Sequence, residues 1–173
     1  MASKGYIHVY TGDGKGKTTA ALGLALRSAG HGMGVFIGQF MKGIRYGELN
    51  VLEKIPGIEV AQFGDEVCIR KEEVTDLHRS HAREGLAVIE KVMAQGKHPV
   101  VIMDEICVTL WFGILSLEEV MGVIKAKPAG IELILTGRRA PQEIIDMADL
   151  VTEMKEIKHY YTQGVLARDG IER

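Results

Sequence analysis

One stretch of the chain reads Thr11-Gly12-Asp13-Gly14-Lys15-Gly16-Lys17-Thr18-Thr19. It follows an apolar, β-rich segment and precedes a segment rich in Ala and Leu, which is the strand, loop and helix order of a phosphate-binding P-loop. Glycines let successive backbone N–H groups turn toward an anion, and the first turn of the next helix adds a partial positive charge. Lys17 would meet the outer phosphates and the Thr18 hydroxyl would meet Mg²⁺. The usual motif begins with Gly where this chain has Thr11, so a glycine-rich turn without a ligand is the alternative.

Composition is that of one soluble globular domain. The chain has 173 residues, 46% of them hydrophobic and 25% charged, which is enough for one sizeable core. A net charge of −2 gives no overall basic footprint for nucleic acid. Cys68 and Cys107 form no closely spaced pair, and no apolar run has the length of a signal segment or a membrane span. We therefore expect one domain over residues 1–173, in the cytoplasm, with neither nucleic acid nor membrane as a partner.

Apolar runs predict six strands, several of them continuously apolar as in a parallel sheet that is buried on both faces. The predicted strands are Tyr6–Tyr10, Val35–Gln39, Ile58–Gln62, Val100–Met103, Glu132–Leu135 and Leu150–Thr152. Helical periodicity and capping residues predict helices between them. These are Thr18–Ala29, Glu72–Ala94, Leu117–Lys125 after a Ser116 cap, and Gln142–Ala148 after Pro141. The alternation predicts a three-layer α/β P-loop NTPase fold of the RecA-like type, with a mostly parallel central sheet and ligands beyond the carboxyl ends of its strands.

Two carboxylates, Asp104 and Glu105, end the apolar strand at Val100–Met103. In P-loop proteins an acidic residue at this point serves the magnesium shell. A cap on the following helical turn is the alternative role for Asp104. The pattern leaves open which of the two carboxylates touches the metal.

Other polar residues also follow predicted strands. Lys42 follows the second strand and Arg138 the fifth, where an arginine could neutralise phosphate charge, although either residue could equally be solvated. His78 and His81 share one helix face, but no third ligand is evident, so we interpret them as ordinary helix-face residues. Trp111 and its neighbour Phe112 are interpreted as core.

No protein base beyond Glu105 is evident for hydrolysis or phosphoryl transfer, which need a positioned water or acceptor. The motifs indicate a protein that holds a triphosphate without necessarily cleaving its phosphoanhydride bonds. The motifs alone leave open a P-loop ATPase or small-molecule kinase and a non-enzymatic nucleotide-binding module.

Taken in order, these motifs resemble the P-loop ATP:corrinoid adenosyltransferases, and the resemblance covers almost the whole chain. Thr in the first place of the loop is typical of that family. The matching segments are Tyr10 to Ala21, Gln39-Phe40-Met41-Lys42-Gly43, Gly47-Glu48, Met103-Asp104-Glu105, Leu135-Thr136-Gly137-Arg138, Ala148 to Met154, Lys158-His159, Gly164-Val165 and Gly170-Ile171-Glu172.

The resemblance implies that ATP donates its 5′-deoxyadenosyl group to the Co(I) centre of a reduced corrinoid and releases intact triphosphate, in cobalamin synthesis or salvage. It implies catalytic roles for Lys17, Arg138 and Glu105, and Mg²⁺ held by Thr18, Asp104 and Glu105. The implied nucleotide-binding residues are Gly12, Asp13, Gly14, Lys15, Gly16, Lys17, Thr18, Thr19, Lys42, Glu48 and Arg138. It further implies a homodimer and an electron donor such as a flavoprotein.

The chain departs from the family pattern in one loop, Phe63–Arg70, which lacks the aromatic residues common after its glycine. Family members place apolar side chains against the lower face of the corrinoid, which favours a four-coordinate cobalt. Phe63, Val67 and Ile69 are the candidates for that role here. Arg173 also stands where the family often has an aromatic residue.

Overall fold

Six strands form one sheet in the computed structural model, which describes residues 4–66 and 69–172. They are β1 (Ile7–Thr11), β2 (Val35–Phe40), β3 (Ile58–Phe63), β4 (Val100–Asp104), β5 (Glu132–Thr136) and β6 (Leu150–Glu153). All six predicted strands are confirmed, and five keep their predicted first residue. Each extends one residue further at its carboxyl end, because ladder pairing joins peptide groups and does not stop where the apolar side chains stop.

The sheet order is β3-β2-β4-β5-β1-β6, and every neighbouring pair is parallel. The strand before the phosphate loop, β1, is separated by β5 from β4, the strand that ends in the acidic pair. This is the strand order of RecA-like P-loop proteins and confirms the predicted fold class. Parallel pairing brings all carboxyl ends to one edge, where Gln39 lies opposite Asp104 and Tyr10 lies opposite Thr136.

Helices cover both faces of the sheet, so alternate residues of each strand enter two different cores. On β2, Val35 and Ile37 join a core with α1 (Lys17–Gly30) and α2 (Leu49–Leu52), while Phe36 and Phe40 join the larger core on the other face. That larger core contains α3, α4, α5 and α6, which span Asp76–Gln95, Ile106–Trp111, Leu117–Lys125 and Gln142–Met147. Two short 3₁₀ turns lie at Lys71–Glu73 and Tyr160–Gln163. No helix in the described ranges combines the length and apolarity needed to cross a bilayer.

The predicted start of the long helix is wrong. The helix begins at Asp76 and not at Glu72, because Val74 and Thr75 are extended and Thr75 forms a capping box with His78. Glu72 and Glu73 belong instead to the separate 3₁₀ turn. Two further helices, α2 and α4, are only four and six residues long, too short to show the periodicity by which helices were predicted. The Ser116 cap and the bounds of α5 are confirmed.

Candidate active site

The phosphate loop lies between β1 and α1 at the carboxyl edge of the sheet. Gly12 (φ 98°) and Gly16 (φ 120°) hold backbone conformations that side chains disfavour. Gly16 is the N-cap of α1, so the unpaired N–H groups of the first turn belong to the loop. Lys17 is only 7% exposed, and its Nζ atom donates to the carbonyl oxygen of Gly14 at 2.7 Å. Burial lowers the pKa of Lys17. The lysine therefore folds back over its own loop, where an anion would supply a better acceptor.

The carboxylate of Asp104 connects several chain segments at the carboxyl edge of the sheet. It is 1% exposed, and its Oδ1 atom accepts hydrogen bonds from Thr18 Oγ1 at 2.8 Å and Thr136 Oγ1 at 2.7 Å. Its Oδ2 atom accepts from Lys42 Nζ at 2.7 Å. Thr18, Lys42 and Thr136 come from three different chain segments, so one buried carboxylate fixes the phosphate loop against β2, β4 and β5. Asp104 does not cap α4, whose N-cap position is Glu105.

Glu105 holds a strained backbone next to Asp104. Its φ of 62° lies in the left-handed region, and its N–H donates to Thr136 Oγ1 at 2.9 Å. Burial and the neighbouring Asp104 raise the pKa of Glu105, against the lowering effect of Lys42 and Lys17. Among the described residues, the side-chain hydrogen bonds at this edge converge on the carboxylate of Asp104.

Other residues at the carboxyl edge of the sheet also hold strained backbone conformations. Among the described residues, the non-glycine positions with positive φ are Met41, Glu105 and Arg139, which follow β2, β4 and β5. Strained residues of this kind cost about 1–3 kcal/mol each and cluster at functional sites. Arg139 stacks on Trp111, with its guanidinium carbon 4.5 Å from the ring centroid. Trp111, interpreted from sequence as core, is instead half-buried and contacts the Phe112 ring edge to face.

The remaining predicted nucleotide residues surround the loop at different depths. Asp13, Lys15, Thr19 and Arg138 are exposed, and Glu48 is half-buried at the N-cap of α2. Arg138 lies near enough to add to the burial that lowers the pKa of Lys17 and to oppose the burial that raises the pKa of Glu105. Burial alone would lower the pKa of Lys42, but the carboxylates of Asp104, Glu105 and Glu48 raise it. Lys42 therefore stays charged beside Asp104.

Comparisons with known proteins identify the family. The family described as ATP:corrinoid adenosyltransferase BtuR/CobO/CobP matches residues 3–173. The chain belongs to this family. The corrinoid adenosyltransferase CobA of Salmonella typhimurium is 36% identical over 173 residues, which cover 98% of this chain and 86% of that protein. The corrinoid adenosyltransferase of Escherichia coli is 35% identical over 170 residues, with the same coverage.

A longer relative also matches. An uncharacterised protein of Nostoc sp. is 40% identical over 169 residues, which cover 90% of this chain, and the chain spans 45% of that protein. Among solved structures, the genome packaging NTPase B204 of Sulfolobus turreted icosahedral virus 2 has a TM-score of 0.44 and 13% identity, over 86% of this chain and 74% of that one.

An apolar cavity opens next to the phosphate edge of this family member. It lies between the strand ends of β2 and β3 and the first turns of α3. Its walls are Met41, Phe63, Gly64, Asp65, Ile69, His78, Ala82 and Ile114. Met41 lines the cavity, and the next residue, Lys42, bonds to Asp104, so the two sites share one stretch of chain. Two of the three predicted corrinoid contacts, Phe63 and Ile69, lie here, whereas Val67 falls outside the described residues together with Cys68.

The histidine pair has a partner that the sequence did not reveal. Asp65 lies 2.9 Å from His78 Nε2 through Oδ2 and 3.1 Å from His81 Nδ1 through Oδ1. The N–H of Thr75 donates to His78 Nδ1 at 2.8 Å, so the proton of that ring is on Nε2 and points to Asp65. Within residues 4–66 and 69–172, no cluster of three or more His, Cys, Asp or Glu residues is arranged to hold a metal ion. The pair therefore anchors the loop after β3 to α3.

The residues present at the phosphate edge fit magnesium. Thr18, Asp104 and Glu105 offer hard oxygen donors, which Mg²⁺ prefers. Magnesium usually binds through one or two carboxylates together with substrate phosphates and water, and not in a cage made by the protein alone.

The C-terminal segment (154–172) contributes residues that local patterns missed. The N–H of Met154 donates to Thr11 O at 2.8 Å, and the N–H of Gly14 donates to Met154 O at 2.7 Å. A Cβ atom on Gly12 would lie 2.4 Å from Met154 O, so glycine is required there for close packing as well as for its φ. Glu172 reaches Lys15 from the end of the same segment. In the sequence, the match of this segment to the family pattern was the only sign that it contributes to the site.

Proposed function

We propose that this protein transfers the 5′-deoxyadenosyl group of ATP to the Co(I) centre of a reduced corrinoid, with release of tripolyphosphate, in cobalamin synthesis or salvage. Family membership supports the reaction class. The observation that carries the proposal is the continuity of two sites: Met41 lines an apolar cavity, and Lys42 reaches the carboxylate beside the phosphate loop. We infer that one face of the corrinoid would approach this small, mainly apolar cavity while the triphosphate is held at the adjacent phosphate edge.

The glycine loop and the first turn of α1 would hold the triphosphate through backbone N–H groups. Lys17 would exchange the Gly14 carbonyl for phosphate oxygens, which makes a stronger, charge-assisted hydrogen bond. Arg138, exposed at the end of β5, would neutralise charge on the leaving triphosphate. Lys42 and Glu48 would approach the nucleotide or its ribose from the β2 side, and Asp13 and Thr19 from the loop itself.

Thr18 and the carboxylates of Asp104 and Glu105 would hold Mg²⁺ at the phosphates. The bound ion neutralises charge on the triphosphate as it leaves. Asp104 already accepts three hydrogen bonds, which engage both of its oxygens, whereas Glu105 is the next residue and holds a left-handed backbone conformation. We therefore infer that Glu105 makes the more direct contact, while Asp104 orients Thr18.

The chemistry needs no protein base. The Co(I) electron pair forms the bond to the ribose C5′ atom, and the bond from C5′ to the triphosphate oxygen breaks with its electron pair on oxygen. The protein's task is to align the two reactants and to stabilise the charge that develops on the leaving group. This requirement agrees with a phosphate edge that supplies cations and oxygen donors.

Phe63 and Ile69 would contact the lower face of the corrinoid. Both are apolar, and both border the cavity. Side chains that cannot ligate cobalt favour the four-coordinate form, which is easier to reduce. An electron donor such as a flavoprotein would supply the electron that reduces the corrinoid from Co(II) to Co(I). The enzyme would act in the cytoplasm as a homodimer of single-domain chains over residues 1–173. These assignments rest on the resemblance to the family.

The test is an anaerobic mixture of the purified protein, MgATP and chemically reduced cobalamin, followed by visible spectroscopy. We expect the Co(I) spectrum to decay to that of a light-sensitive alkylcobalamin, at a rate proportional to enzyme. The Lys17→Ala variant serves as the catalytic control. A Co(I) spectrum that persists while ADP or orthophosphate accumulates would instead support the ATPase or kinase hypothesis.

A further inference from the structure

The C-terminal segment is fixed to the phosphate loop through the main chain. Two backbone hydrogen bonds join Met154 to Thr11 and Gly14, at 2.8 and 2.7 Å. A Cβ atom on Gly14 would lie 2.7 Å from Met154 O, so no other residue fits there without a shift. The phosphate loop is therefore packed against the start of this segment before any ligand arrives.

Lys15 of the phosphate loop forms hydrogen bonds with the distal part of the C-terminal segment. Its Nζ atom donates to Glu172 Oε1 at 2.7 Å, to Ile171 O at 2.9 Å and to Tyr160 OH at 3.4 Å. An ammonium group has three N–H donors, so these three acceptors engage all of them. Lys17, two residues later, does the opposite and folds into its own loop. The two lysines of the loop thus have separate partners.

Glu172 is the centre of a network within the segment. Its carboxylate accepts from the backbone N–H of Arg168 at 2.9 Å and from the Arg168 guanidinium at 3.2 Å, and Tyr160 donates its hydroxyl to it. The Arg168 guanidinium also lies over the Tyr160 ring, 4.9 Å from its centroid. Hydrogen bonds from Arg168, Lys15 and Tyr160 hold the pKa of Glu172 well below its usual range, so the carboxylate is charged at neutral pH.

We propose that Lys15 and Glu172 form a clasp that holds the C-terminal segment on the phosphate loop, and that Glu172 is a positioning residue for nucleotide binding. In this role Lys15 is a tie between two segments and not a phosphate ligand. The resemblance to the family had implied that Lys15 binds the nucleotide. Breaking three satisfied hydrogen bonds to reach a phosphate would leave Glu172 beside Tyr160 without its lysine partner, which works against that role.

The clasp has a measurable consequence for nucleotide affinity. The segment orders the phosphate loop before nucleotide binds. Without either partner the loop must become ordered when the nucleotide binds, and the lost conformational entropy weakens the affinity. Lys15 and Glu172 would then act as one unit, so a second substitution adds nothing to the first. The inference rests on nucleotide binding at the loop, and not on the transfer of an adenosyl group.

The experiment combines calorimetric titration with MgATP and hydrogen exchange of residues 155–172 in the full chain. The variants are Lys15→Met, Glu172→Gln and the double variant, with Lys15→Arg as the conservative rescue. Lys155→Met is the matched control, because the exposed Lys155 ammonium pairs only distantly with Glu153, at 3.7 Å. Thermal unfolding midpoints of all variants separate loss of the clasp from loss of the fold.

Each single variant is expected to weaken MgATP binding about threefold to tenfold and to open the segment to exchange, with unchanged unfolding midpoints. The double variant should match the singles, and Lys15→Arg and Lys155→Met should resemble the wild type. Additive losses, or a Lys15→Met variant that loses affinity while its segment stays protected, would overturn the clasp. If the wild type itself fails to bind MgATP, the proposed function fails, while exchange without nucleotide still decides whether Lys15 holds the segment.

Discussion

The Nζ atom of Lys42 lies 2.7 Å from Oδ2 of Asp104 and joins the chain after β2 to the end of β4. Both side chains are largely buried, at 16% and 1% exposure. A buried ion pair that loses one partner leaves an uncompensated charge, which costs about 3–5 kcal/mol. The pair therefore supports the edge on which both the nucleotide and the corrinoid are proposed to lie.

The first prediction concerns this pair. Lys42→Met should lower the free energy of unfolding by about 3 kcal/mol, because Asp104 would stay buried beside Glu105 without its cation. Urea unfolding at neutral pH measures the change. Lys54→Met, at an exposed lysine after α2, is the matched control and should change stability by less than about 0.5 kcal/mol. A Lys42→Met variant as stable as that control would mean that water already screens the pair.

The second prediction separates nucleotide binding from stability at Lys17. Lys17→Ala should weaken MgATP binding by about 100-fold, since charge-assisted hydrogen bonds to phosphate are lost. The unfolding midpoint should not fall, because burial already lowers the pKa of Lys17 and makes its charged form costly to keep in the fold. Calorimetric titration and thermal unfolding give the two quantities. MgATP affinity that survives in the variant would remove the phosphate role from this loop.

The third prediction assigns the cavity. Ile69→Ala should slow corrinoid adenosylation several-fold and leave MgATP affinity unchanged, because Ile69 borders the cavity and not the phosphate loop. Ile157→Ala offers a control with the same side chain at 89% exposure, and it should change neither quantity. Steady-state rates at varied corrinoid concentration, with parallel ATP titrations, make the comparison. Equal losses of both functions in Ile69→Ala would show that the loop has a structural role only.

The fourth prediction is a pH dependence of stability far from the site. The backbone N–H of Ser116 and the Arg83 guanidinium lower the pKa of Glu119 to about 2. Because the folded pKa is depressed, this stabilisation is complete above the ordinary carboxyl range near pH 4.5 and is lost as pH falls toward about 2. Glu119→Gln should lower the free energy of unfolding by about 1 kcal/mol at pH 7 and by less at pH 3.

Urea unfolding at the two pH values tests this prediction. Glu118→Gln, in the same helical turn but outside the capping box, is the control and should show no such difference between pH values. If Glu119→Gln loses equal stability at pH 3 and pH 7, packing and not the charge of the cap explains the effect.

Local patterns predicted the elements that have local causes. Apolar runs identified all six strands, and burial on both faces explains the continuously apolar ones, such as β2 and β4. The glycine loop identified the phosphate edge, because a need for positive φ is visible in a few consecutive residues. The start of the long helix was misplaced because His78 takes the place that Glu or Gln usually holds in a capping box. Glu72 and Glu73 favoured an earlier first turn for this helix because acidic residues are common there.

Contacts between residues far apart in the chain have no local sequence pattern from which they could be predicted. Lys15 and Glu172 are 157 positions apart, and Asp65 meets His78 only because the loop after β3 folds onto α3. Pairings of this kind depend on the sheet order, which a periodicity cannot give. Parallel pairing brings the ends of β4 and β5 to the same edge, so the Thr136 hydroxyl can donate to Asp104. The first turn of α1 brings the Thr18 hydroxyl to the same carboxylate.

The most direct measurement of the central claim is the identity of the phosphate product. The protein would be incubated anaerobically with MgATP and reduced cobalamin, and the products would be resolved by ³¹P NMR alongside the yield of alkylcobalamin. The account predicts one tripolyphosphate for each alkylcobalamin formed, with no ADP, because only the bond between C5′ and oxygen breaks. Orthophosphate or ADP in place of tripolyphosphate, with cobalt unchanged, would contradict it.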